Sequence, residues 1–378
     1  MTEHVLVVTG TRADFGLWEP VLDELSLRGT GVEVRLVVMA MHLDERFGRT
    51  ANEVRLRGIP IAGEVPCIPE SDTRAEMAAG LGKALQGVAP IIADARPDWL
   101  MLLGDRGEQA AAALAALHLG VPVAHVHGGE RTLGAVDDVL RDVITRIAHL
   151  HLVATRGARE RLLALGEDRW RIHRTGGPGL DALVTEPRIA PAEARARYGL
   201  PSEGPYLLVV IHPETGPNAE TPSRLVEAVL QGSAVHRLPA VAIWPNADAG
   251  GRAIGERLEL ERPRLSAVAK SIPRDDYVAL LRDSAALVGN SSSGIIEAPL
   301  LRVPAVNVGR RQHGRERGDN VLDVDATAEA VAVGVERALE PGFRSGLSGR
   351  SPYGDGRAAR RIVDALLGTP RDRRLMEK

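Results

Sequence analysis

The sequence predicts an α/β protein with two doubly wound domains, each built on a parallel sheet covered by helices. Short apolar runs rich in Val, Ile and Leu recur without alternating polar residues, which is typical of strands buried on both faces. Ala-rich or amphipathic stretches of crossover-helix length, such as GEQAAAALAALHLG, separate these runs. A segment with clustered Gly and Pro, residues 175–191, divides the runs into two series.

The predicted strands follow the two series in order. The first series predicts strands at residues 5–10, 32–40, 99–105, 121–128 and 150–155. The second series predicts strands at residues 206–212, 240–245, 265–270, 285–290 and 304–309. We therefore expect a first domain over residues 1–175 and a second over 176–358. A C-terminal helix and tail follow over 359–378, and one arrangement open to them is packing on the first domain.

The composition argues against several classes of protein. The 378 residues carry 47 basic and 50 acidic side chains, so no general attraction to nucleic acid or anionic lipid is expected. Aromatic residues make up 3% of the chain, too few for a nucleic-acid stacking surface. The N-terminus lacks a signal-peptide pattern, and no apolar run approaches the roughly 20 residues that span a bilayer. We expect a cytoplasmic protein that does not bind membranes.

Neither a metal nor a cofactor is expected. A single cysteine, Cys67, excludes an intramolecular disulfide and a cysteine-rich zinc site. The histidines and acidic residues lack the H-E-x-x-H spacing, and the acidic triplet DVD at 323–325 does not follow a predicted strand.

Polar clusters follow two predicted strands of the first series, at the end of the sheet where ligands of parallel sheets bind. TGTRADFG contains Arg12, whose guanidinium could bind a phosphate through two N–H groups. Asp14 follows two residues later and is either part of the same site or a cap of the next helix. GDRGE places Asp105 at the end of a buried strand, where it suits proton transfer or a helix N-cap.

The stretch HVHGGERTLGAVDDVLR, residues 125–141, is the densest polar cluster. Its glycines let the backbone approach a ligand, while His127 and Glu130 project from the loop. Asp137 and Arg141 are four residues apart and share a helix face if a helix starts near 137. The alternative for Asp137 is a plain N-cap with a surface ion pair.

Three further clusters follow strands of the second series. IHPET places His212 at a strand end, and IWPNADAGG offers Asn246, an amide suited to a sugar or phosphate. GNSSSGIIEAP leads three serines into an apolar helix, whose first N–H groups favour an anion unless a serine merely caps the helix. We expect Glu297, about two turns inside that helix, to accept a hydrogen bond from a ribose diol. Arg311 and Arg315 add charge for the same phosphates or face water.

The order and spacing of six motifs resemble the UDP-N-acetylglucosamine 2-epimerase family across residues 5–325. These motifs are TGTRADFG, GDRGE, HGGE with VDDVLR, IHP, PNADAG and GNSSSGIIEAP. The chain is more similar to the hydrolysing branch, which forms N-acetylmannosamine and UDP. The non-hydrolysing branch typically carries a basic H-R-R-E-N segment where this chain has HPETG. The resemblance implies two Rossmann-like domains facing a cleft, the glycosyltransferase B architecture. It also implies a UDP-sugar substrate, no cofactor, and a homodimer or homotetramer.

The resemblance also gives roles to individual residues. It implies a reaction centre of Asp105, His127, Glu130, Asp137, Arg141 and His212. It implies a substrate site of Arg12, Asp14, Asn246, Tyr277, Ser291, Ser292, Glu297 and Arg311, with Tyr277 against uracil and Glu297 on the ribose. Several relatives place a catalytic glutamate 22 residues after the G-D aspartate, where this chain has His127. Either His127 or Glu130 therefore takes that acid–base role.

The chemistry that the resemblance implies is anti elimination of UDP through a 2-acetamidoglucal, followed by addition of water. Five alternatives stay open. The enzyme could return UDP to the glycal without hydrolysis, or act on a 2,4-diacetamido-hexose nucleotide or a GDP-sugar. It could be a glycosyltransferase of the same fold, or a sugar-nucleotide-binding protein without activity.

Overall fold

A computed structural model of the chain describes residues 2–71, 73–131, 137–184, 189–214, 220–245 and 250–378. These residues form two compact units. The chain leaves the first unit after Ala182 and returns to it at Tyr353, so that Leu183–Pro352 forms most of the second unit. Among the described residues, no helix combines the length and apolar character needed to cross a membrane.

The first unit contains a seven-stranded sheet in which neighbouring strands are parallel. Its strands are β1 (Glu3–Thr9), β2 (Val32–Met39), β3 (Ile61–Val65), β4 (Trp99–Leu103), β5 (Val123–Val126), β6 (Leu150–Val153) and β7 (Ile172–Arg174). The order across the sheet is β3-β2-β1-β4-β5-β6-β7, so the winding reverses between β1 and β4. Sheets of this kind bind ligands beyond the carboxyl ends of the strands at the reversal point.

Helices cover both faces of this sheet. In chain order they are α1 (Arg12–Ser26), α2 (Ala51–Leu56), α3 (Arg74–Ala95), α4 (Gly107–Leu119), α5 (Asp137–Ile147), α6 (Arg156–Ala164) and α7 (Asp181–Val184). Alternate residues of β1 enter different cores. Val7 packs with α1 residues such as Trp18, whereas Leu6 and Val8 pack with the alanines of α4. The strands are apolar throughout because both faces are buried.

The second unit contains a six-stranded parallel sheet with the same type of winding. Its strands are β8 (Leu207–Val210), β9 (Ala240–Ile243), β10 (Ala267–Ala269), β11 (Ala286–Gly289), β12 (Ala305–Val308) and β13 (Val321–Val324). Its helices are α8 (Pro191–Arg197), α9 (Pro222–Ala234), α10 (Gly251–Leu260), α11 (Arg274–Asp283), α12 (Ser293–Ile296), α13 (Ala328–Leu339) and α14 (Pro341–Gly346). The order is β10-β9-β8-β11-β12-β13, with the reversal between β8 and β11. The predicted class, two doubly wound α/β domains, is confirmed.

The C-terminal segment is part of the first unit. It forms α15 (Ala358–Gly368) and α16 (Arg373–Met376). Ile362 and Leu366 are buried in the same core as Trp18. The carboxylate of Asp181 accepts hydrogen bonds at 2.8 and 2.7 Å from the first two backbone N–H groups of α15, which fixes the start of that helix.

Every predicted strand is present, and the structure adds three that the sequence does not predict: β3, β7 and β13. All three lie at a sheet edge, where a strand has only one neighbour and tolerates polar residues. The DVD triplet illustrates the difference, because Asp323 lies within β13 and not in a loop. Its carboxylate accepts a hydrogen bond from Asn307 Nδ2 at 2.7 Å.

The helix after β11 is shorter than the sequence predicts. α12 ends at Ile296, and Glu297 follows it directly, so the expectation that Glu297 lies about two turns inside a helix is wrong. Pro299 explains the early end, because a proline ring disfavours helical backbone at the preceding residue. The N-cap, Ser292, makes no side-chain capping hydrogen bond. So short a helix provides little of the macrodipole on which the predicted anion site depends.

Candidate active site

Most of the predicted acid–base residues of the first unit meet at the carboxyl ends of β4 and β5. Asp105, just after β4, forms an ion pair with the guanidinium of Arg141 from α5. Arg141 also donates to the carbonyl oxygen of Glu130 at 3.0 Å and lies 3.8 Å from a carboxylate oxygen of Asp138. Only 1% of Arg141 is exposed, so these acceptors replace the water that its charge has lost.

The predicted helix is present from the first described residue after 131, Asp137. α5 covers Asp137–Ile147, so Asp137 and Arg141 lie one turn apart in the same helix. A carboxylate in the first turn is favoured by the positive end of the helix dipole. Asp105 does not cap α4, because the N-cap of that helix is Arg106.

His127 and Glu130 touch each other. His127 Nδ1 lies 2.5 Å from Glu130 Oε1, and both residues are buried. His127 directly follows β5 with a φ of +63°, a conformation that costs a residue other than glycine about 1–3 kcal/mol. Its backbone N–H donates to the carbonyl of Leu152 in β6 at 3.2 Å, which holds the residue in place. His127 and Glu130, the two candidates for the acid–base role, are therefore in contact with each other.

Gly129 allows this turn to pack against α6. Its φ is +75°, and an added Cβ would lie 2.1 Å from Leu162 Cδ1 and 2.7 Å from the carbonyl oxygen of Ala158. Only glycine fits this combination of backbone conformation and space. We expected the glycines to let the backbone approach a ligand, but at Gly129 the partner in close approach is a helix.

Asp14 lies buried at the carboxyl end of β1. Its carboxylate accepts from Thr9 Oγ1 at 2.5 Å and from the N–H groups of Gly10 and Thr11 at 3.0 and 3.2 Å. Thr11 is the N-cap of α1, and the two side chains form a capping box, so Asp14 does cap the helix. Burial raises the pKa of Asp14 to about 6, although these hydrogen bonds oppose the shift.

Arg12 and Glu108 complete this region of the first unit. Arg12, the predicted phosphate ligand, donates from Nε to Glu53 of α2 at 2.6 Å. Glu108 is a buried acid that the sequence does not single out, although it closes the GDRGE motif. An added Cβ on Gly10 would lie 2.2 Å from its Oε1, so Glu108 touches the turn after β1. Its charge also favours the protonated form of Asp14.

In the second unit, Asn290 joins the loops that follow β8, β11 and β12. Its Oδ1 accepts from the N–H of His212 at 2.7 Å, and its Nδ2 donates to the carbonyl of His212 at 2.9 Å. The carbonyl of Asn290 accepts from Gln312 Nε2 at 2.8 Å and from Arg311 Nη1 at 3.4 Å. One fully buried residue thus joins His212, through its side-chain amide, and the Arg311 loop, through its backbone carbonyl, to the start of the serine turn.

Glu214 is another buried side chain that the sequence does not single out. Its Oε1 accepts from the backbone N–H groups of Arg310 and Arg311 at 2.7 and 3.0 Å. Its other carboxylate oxygen accepts from the N–H of Glu220 at 3.2 Å. The glutamate of the HPE sequence therefore holds the turn that carries Arg311, and its position two residues after His212 was the available signal.

The two residues predicted for the nucleoside, Glu297 and Tyr277, lie in one cluster with Arg274. Glu297 Oε1 is 2.6 Å from Arg274 Nη2, and its other carboxylate oxygen accepts from Ser293 Oγ. The Arg274 guanidinium lies 5.9 Å from the ring centroid of Tyr277. Burial, together with the charge of Glu297, raises the pKa of the Tyr277 phenol. The sequence does not single out Arg274.

The remaining predicted residues are the serines after β11 and Asn246. Ser291 is buried, and its Oγ accepts from the N–H of Ser293 at 3.3 Å, whereas Ser292 is half-buried. Asn246 lies outside the described residues. The described predicted residues therefore form groups near the carboxyl ends of strands in both sheets, with acid–base groups in the first unit and serine and arginine groups in the second.

Known proteins resemble this chain over nearly its whole length. Residues 25–367 match the sequence profile of a family described as UDP-N-acetylglucosamine 2-epimerase. A Legionella pneumophila protein named UDP-N,N′-diacetylbacillosamine 2-epimerase (hydrolyzing) is 35% identical, across 100% of this chain and 99% of that protein. A Neisseria meningitidis UDP-N-acetylglucosamine 2-epimerase is 31% identical, across 90% of this chain and 88% of its own length.

A solved structure shares the fold. The crystal structure of the UDP-GlcNAc 2-epimerase from Neisseria meningitidis bound to UDP-GlcNAc superposes with a TM-score of 0.80 at 19% identity. The match covers 97% of this chain and 100% of that chain, so the two-unit architecture is shared from end to end.

Proposed function

Because the chain belongs to the UDP-N-acetylglucosamine 2-epimerase family, we propose that it inverts C2 of a UDP-linked 2-acetamido sugar and releases the free sugar and UDP. The family membership that the motifs implied is confirmed by the profile match. The observation that carries the proposal is the group of Asp105 with the buried residues Arg141, Glu130 and His127 at the ends of β4 and β5. Binding a nucleotide does not require such a collection of proton carriers, whereas chemistry at a carbon acid does.

The proposed reaction is an anti elimination followed by addition of water. A base takes the proton from C2, the C–H electron pair forms the C1=C2 double bond, and the C1–O electrons leave with UDP. Water then adds its hydroxyl to C1, while a proton is delivered to C2 from the opposite face. Because the proton leaves one face and returns on the other, two proton carriers are needed.

We propose roles for the two groups of residues on this basis. The reaction centre comprises Asp105, His127, Glu130, Asp137, Arg141 and His212. The substrate site comprises Arg12, Asp14, Asn246, Tyr277, Ser291, Ser292, Glu297 and Arg311. The diphosphate gains negative charge as the C1–O bond breaks, and fixed N–H groups and guanidinium groups lower the barrier by stabilising it. The ion pair with Arg274 presets Glu297 for the ribose.

The first candidate substrate is UDP-N-acetylglucosamine, which would give N-acetylmannosamine. A UDP-linked 2,4-diacetamido hexose is the second candidate, and the 35% identity to the Legionella protein over the whole chain favours it. The additional acetamido group is at C4, away from the reacting C1 and C2, so the same chemistry serves both. A cytoplasmic location and a homodimer or homotetramer stay predictions from the sequence.

Incubation with each UDP-sugar in deuterated water, followed by proton NMR, tests the proposed function. We expect free 2-epimer with deuterium at C2, together with UDP, and no turnover of UDP-glucose, which lacks the 2-acetamido group. A UDP-linked 2-epimer would identify a non-hydrolysing enzyme. Transfer to an acceptor without deuterium at C2 would identify a glycosyltransferase. Calorimetric binding of UDP without any turnover would identify a binding protein.

A further inference from the structure

We propose that His127 and Glu130 work as one unit, in which Glu130 is a positioning residue and His127 Nε2 exchanges the proton with the sugar. This inference rests on the proposed function. It also resolves the choice between the two residues that the sequence left open, because each receives a different role.

The contact between the two side chains determines which nitrogen of His127 is basic. Nδ1 lies 2.5 Å from Glu130 Oε1. An ionised carboxylate can only accept hydrogen bonds, so the hydrogen of the neutral imidazole is on Nδ1. The lone pair of the ring is then on Nε2, which is the nitrogen that can take a proton.

The position of Glu130 is fixed by groups other than His127. Its backbone carbonyl accepts a hydrogen bond from Arg141 Nη1 and another from Arg161 Nη1, each at 3.0 Å. Its side chain is 4% exposed. Two guanidinium groups therefore anchor the backbone, and the buried carboxylate is directed at the histidine. A residue held in this way orients its neighbour as second partners of catalytic histidines do.

The opposite edge of the His127 ring, which carries Cε1 and Nε2, packs against the backbone at Gly177. An added Cβ on Gly177 would lie 2.9 Å from His127 Cε1 and 3.1 Å from Nε2. Within the described parts of the chain, no residue forms a hydrogen bond with Nε2. The ring thus packs against backbone that leaves room only for glycine, and Nε2 keeps its hydrogen-bonding capacity unused by the described residues.

The backbone of His127 supports the same conclusion. Its φ of +63° suits glycine, yet the chain has histidine there and holds it with a hydrogen bond to β6. Strained conformations of this kind persist where the surroundings enforce them, and they concentrate at functional sites.

The proton step follows from this arrangement. Nε2 accepts the C2 proton while the C–H electron pair becomes the C1=C2 bond and UDP leaves with the C1–O electrons. The imidazole is then a cation, and the Glu130 carboxylate next to Nδ1–H stabilises it. The proton afterwards passes from Nε2 to solvent, which restores the neutral ring.

Four variants separate positioning by Glu130 from direct proton transfer: H127A, E130A, E130Q and the double variant H127A/E130A. We expect E130A to lower kcat about 100-fold with KM nearly unchanged, the size of a lost acid–base contribution. E130Q should retain kcat within about tenfold, because an amide oxygen still accepts from Nδ1–H. The double variant should be no slower than H127A, because Glu130 acts only through His127. E160Q is the matched control, since Glu160 is a surface residue of α6.

Two kinetic results would overturn the proposal. If the losses of kcat in H127A and E130A multiply in the double variant, Glu130 acts independently of His127. An E130Q variant as slow as E130A would mean that the carboxylate itself carries the proton. A role in stability alone predicts lower unfolding midpoints without the specific loss of kcat.

Nitrogen-15 NMR of the imidazole rings supplies a measurement that does not depend on activity. We expect His127, identified by its missing signals in H127A, to be the Nδ1–H tautomer in the wild type and in E130Q, and to lose this preference in E130A. An Nε2–H tautomer in the wild type would overturn the pair even if the enzyme turns over. Absence of turnover with every UDP-sugar would instead overturn the proposed function and the role in proton exchange, whatever the tautomer.

Discussion

Arg141 organises the first unit's polar group through a single buried charge. Its guanidinium pairs with Asp105, donates to the Glu130 carbonyl and lies near Asp138. Removing the partner of a buried charge typically costs about 3–5 kcal/mol. Asp105 therefore has a structural effect in addition to its proposed role in the reaction, and a test must separate the two.

Replacing Asp105 or Asp137 by asparagine keeps the shape of the side chain and removes its charge and its basicity. We expect D105N and D137N each to lower kcat by at least about 100-fold. Steady-state kinetics, measured beside the thermal unfolding midpoint, checks this. D364N is the matched control, because Asp364 pairs with Arg28 at the surface, where an ion pair contributes little. Near-normal turnover of both variants, with the fold intact, would remove them from the reaction centre.

Most residues that the sequence singled out lie at the end of a predicted strand or in the segment after it, because the carboxyl ends of parallel strands share one edge. Asp105 and His127 could be found in this way. Asn290 could not, although it lies in the quoted serine motif, because its partner His212 is 78 residues away. Its importance depends on which loops become neighbours when the sheet forms.

At the scale of elements, every interior strand of the described sheets was predicted, whereas three of the four edge strands, all except β10, were not. A strand such as β4 is apolar throughout because neighbours and helices enclose it, whereas β3 includes Gly63 and Glu64 at the edge of its sheet. The length of α12 was also missed. Its apolar residues suggested a helix that continues past Glu297, while Pro299 ends it after one turn.

The side chain of Asn290 links the loops after β8 and β11 through its hydrogen bonds to His212, and this gives a prediction at the scale of elements. In N290A the N–H and C=O of His212 lose their partners in a buried site, which should destabilise the second unit by about 2–4 kcal/mol. Hydrogen exchange of a peptide covering residues 206–212 should become faster, and calorimetry should show weaker UDP binding. N307A is the control, because Asn307 pairs with Asp323 in the same sheet and not with His212. Unchanged exchange at His212 in N290A would contradict this account.

At the scale of the whole molecule, the two units share a winding pattern but differ in their buried histidines. Burial lowers the pKa of His42 to about 4, of His125 to about 3 and of His149 to about 4. All three lie in the first unit, and each accepts or donates hydrogen bonds as a neutral ring. Folding of this unit therefore requires that these side chains give up their protons.

This requirement predicts how stability depends on pH. Below the unfolded-state pKa of 6.5, the unfolded chain binds a proton at each of the three histidines before the folded unit does. Asp14 opposes them by up to one proton, because burial raises its pKa in the folded unit to about 6, above the ordinary value of 3.8 for an aspartate. For these four groups, about two protons remain in favour of the unfolded chain. Burial also lowers the pKa of His151 and of His173, which steepens the dependence, and raises the pKa of Asp181, which opposes it. The free energy of unfolding of the first unit should therefore fall by about 2–3 kcal/mol per pH unit between roughly pH 6 and pH 4.

Urea unfolding at pH 7, 6 and 5, followed by tryptophan fluorescence, measures this slope, because Trp18 and Trp99 are fully buried in the first unit. H149N is the informative variant. Asparagine can still accept the hydrogen bond that His149 Nδ1 receives from the Val123 N–H at 3.2 Å, but it does not titrate. We expect its slope to be smaller by about one proton, or about 1.4 kcal/mol per pH unit. A wild-type midpoint that stays constant from pH 7 to pH 5 would show that these histidines do not control the stability of the unit.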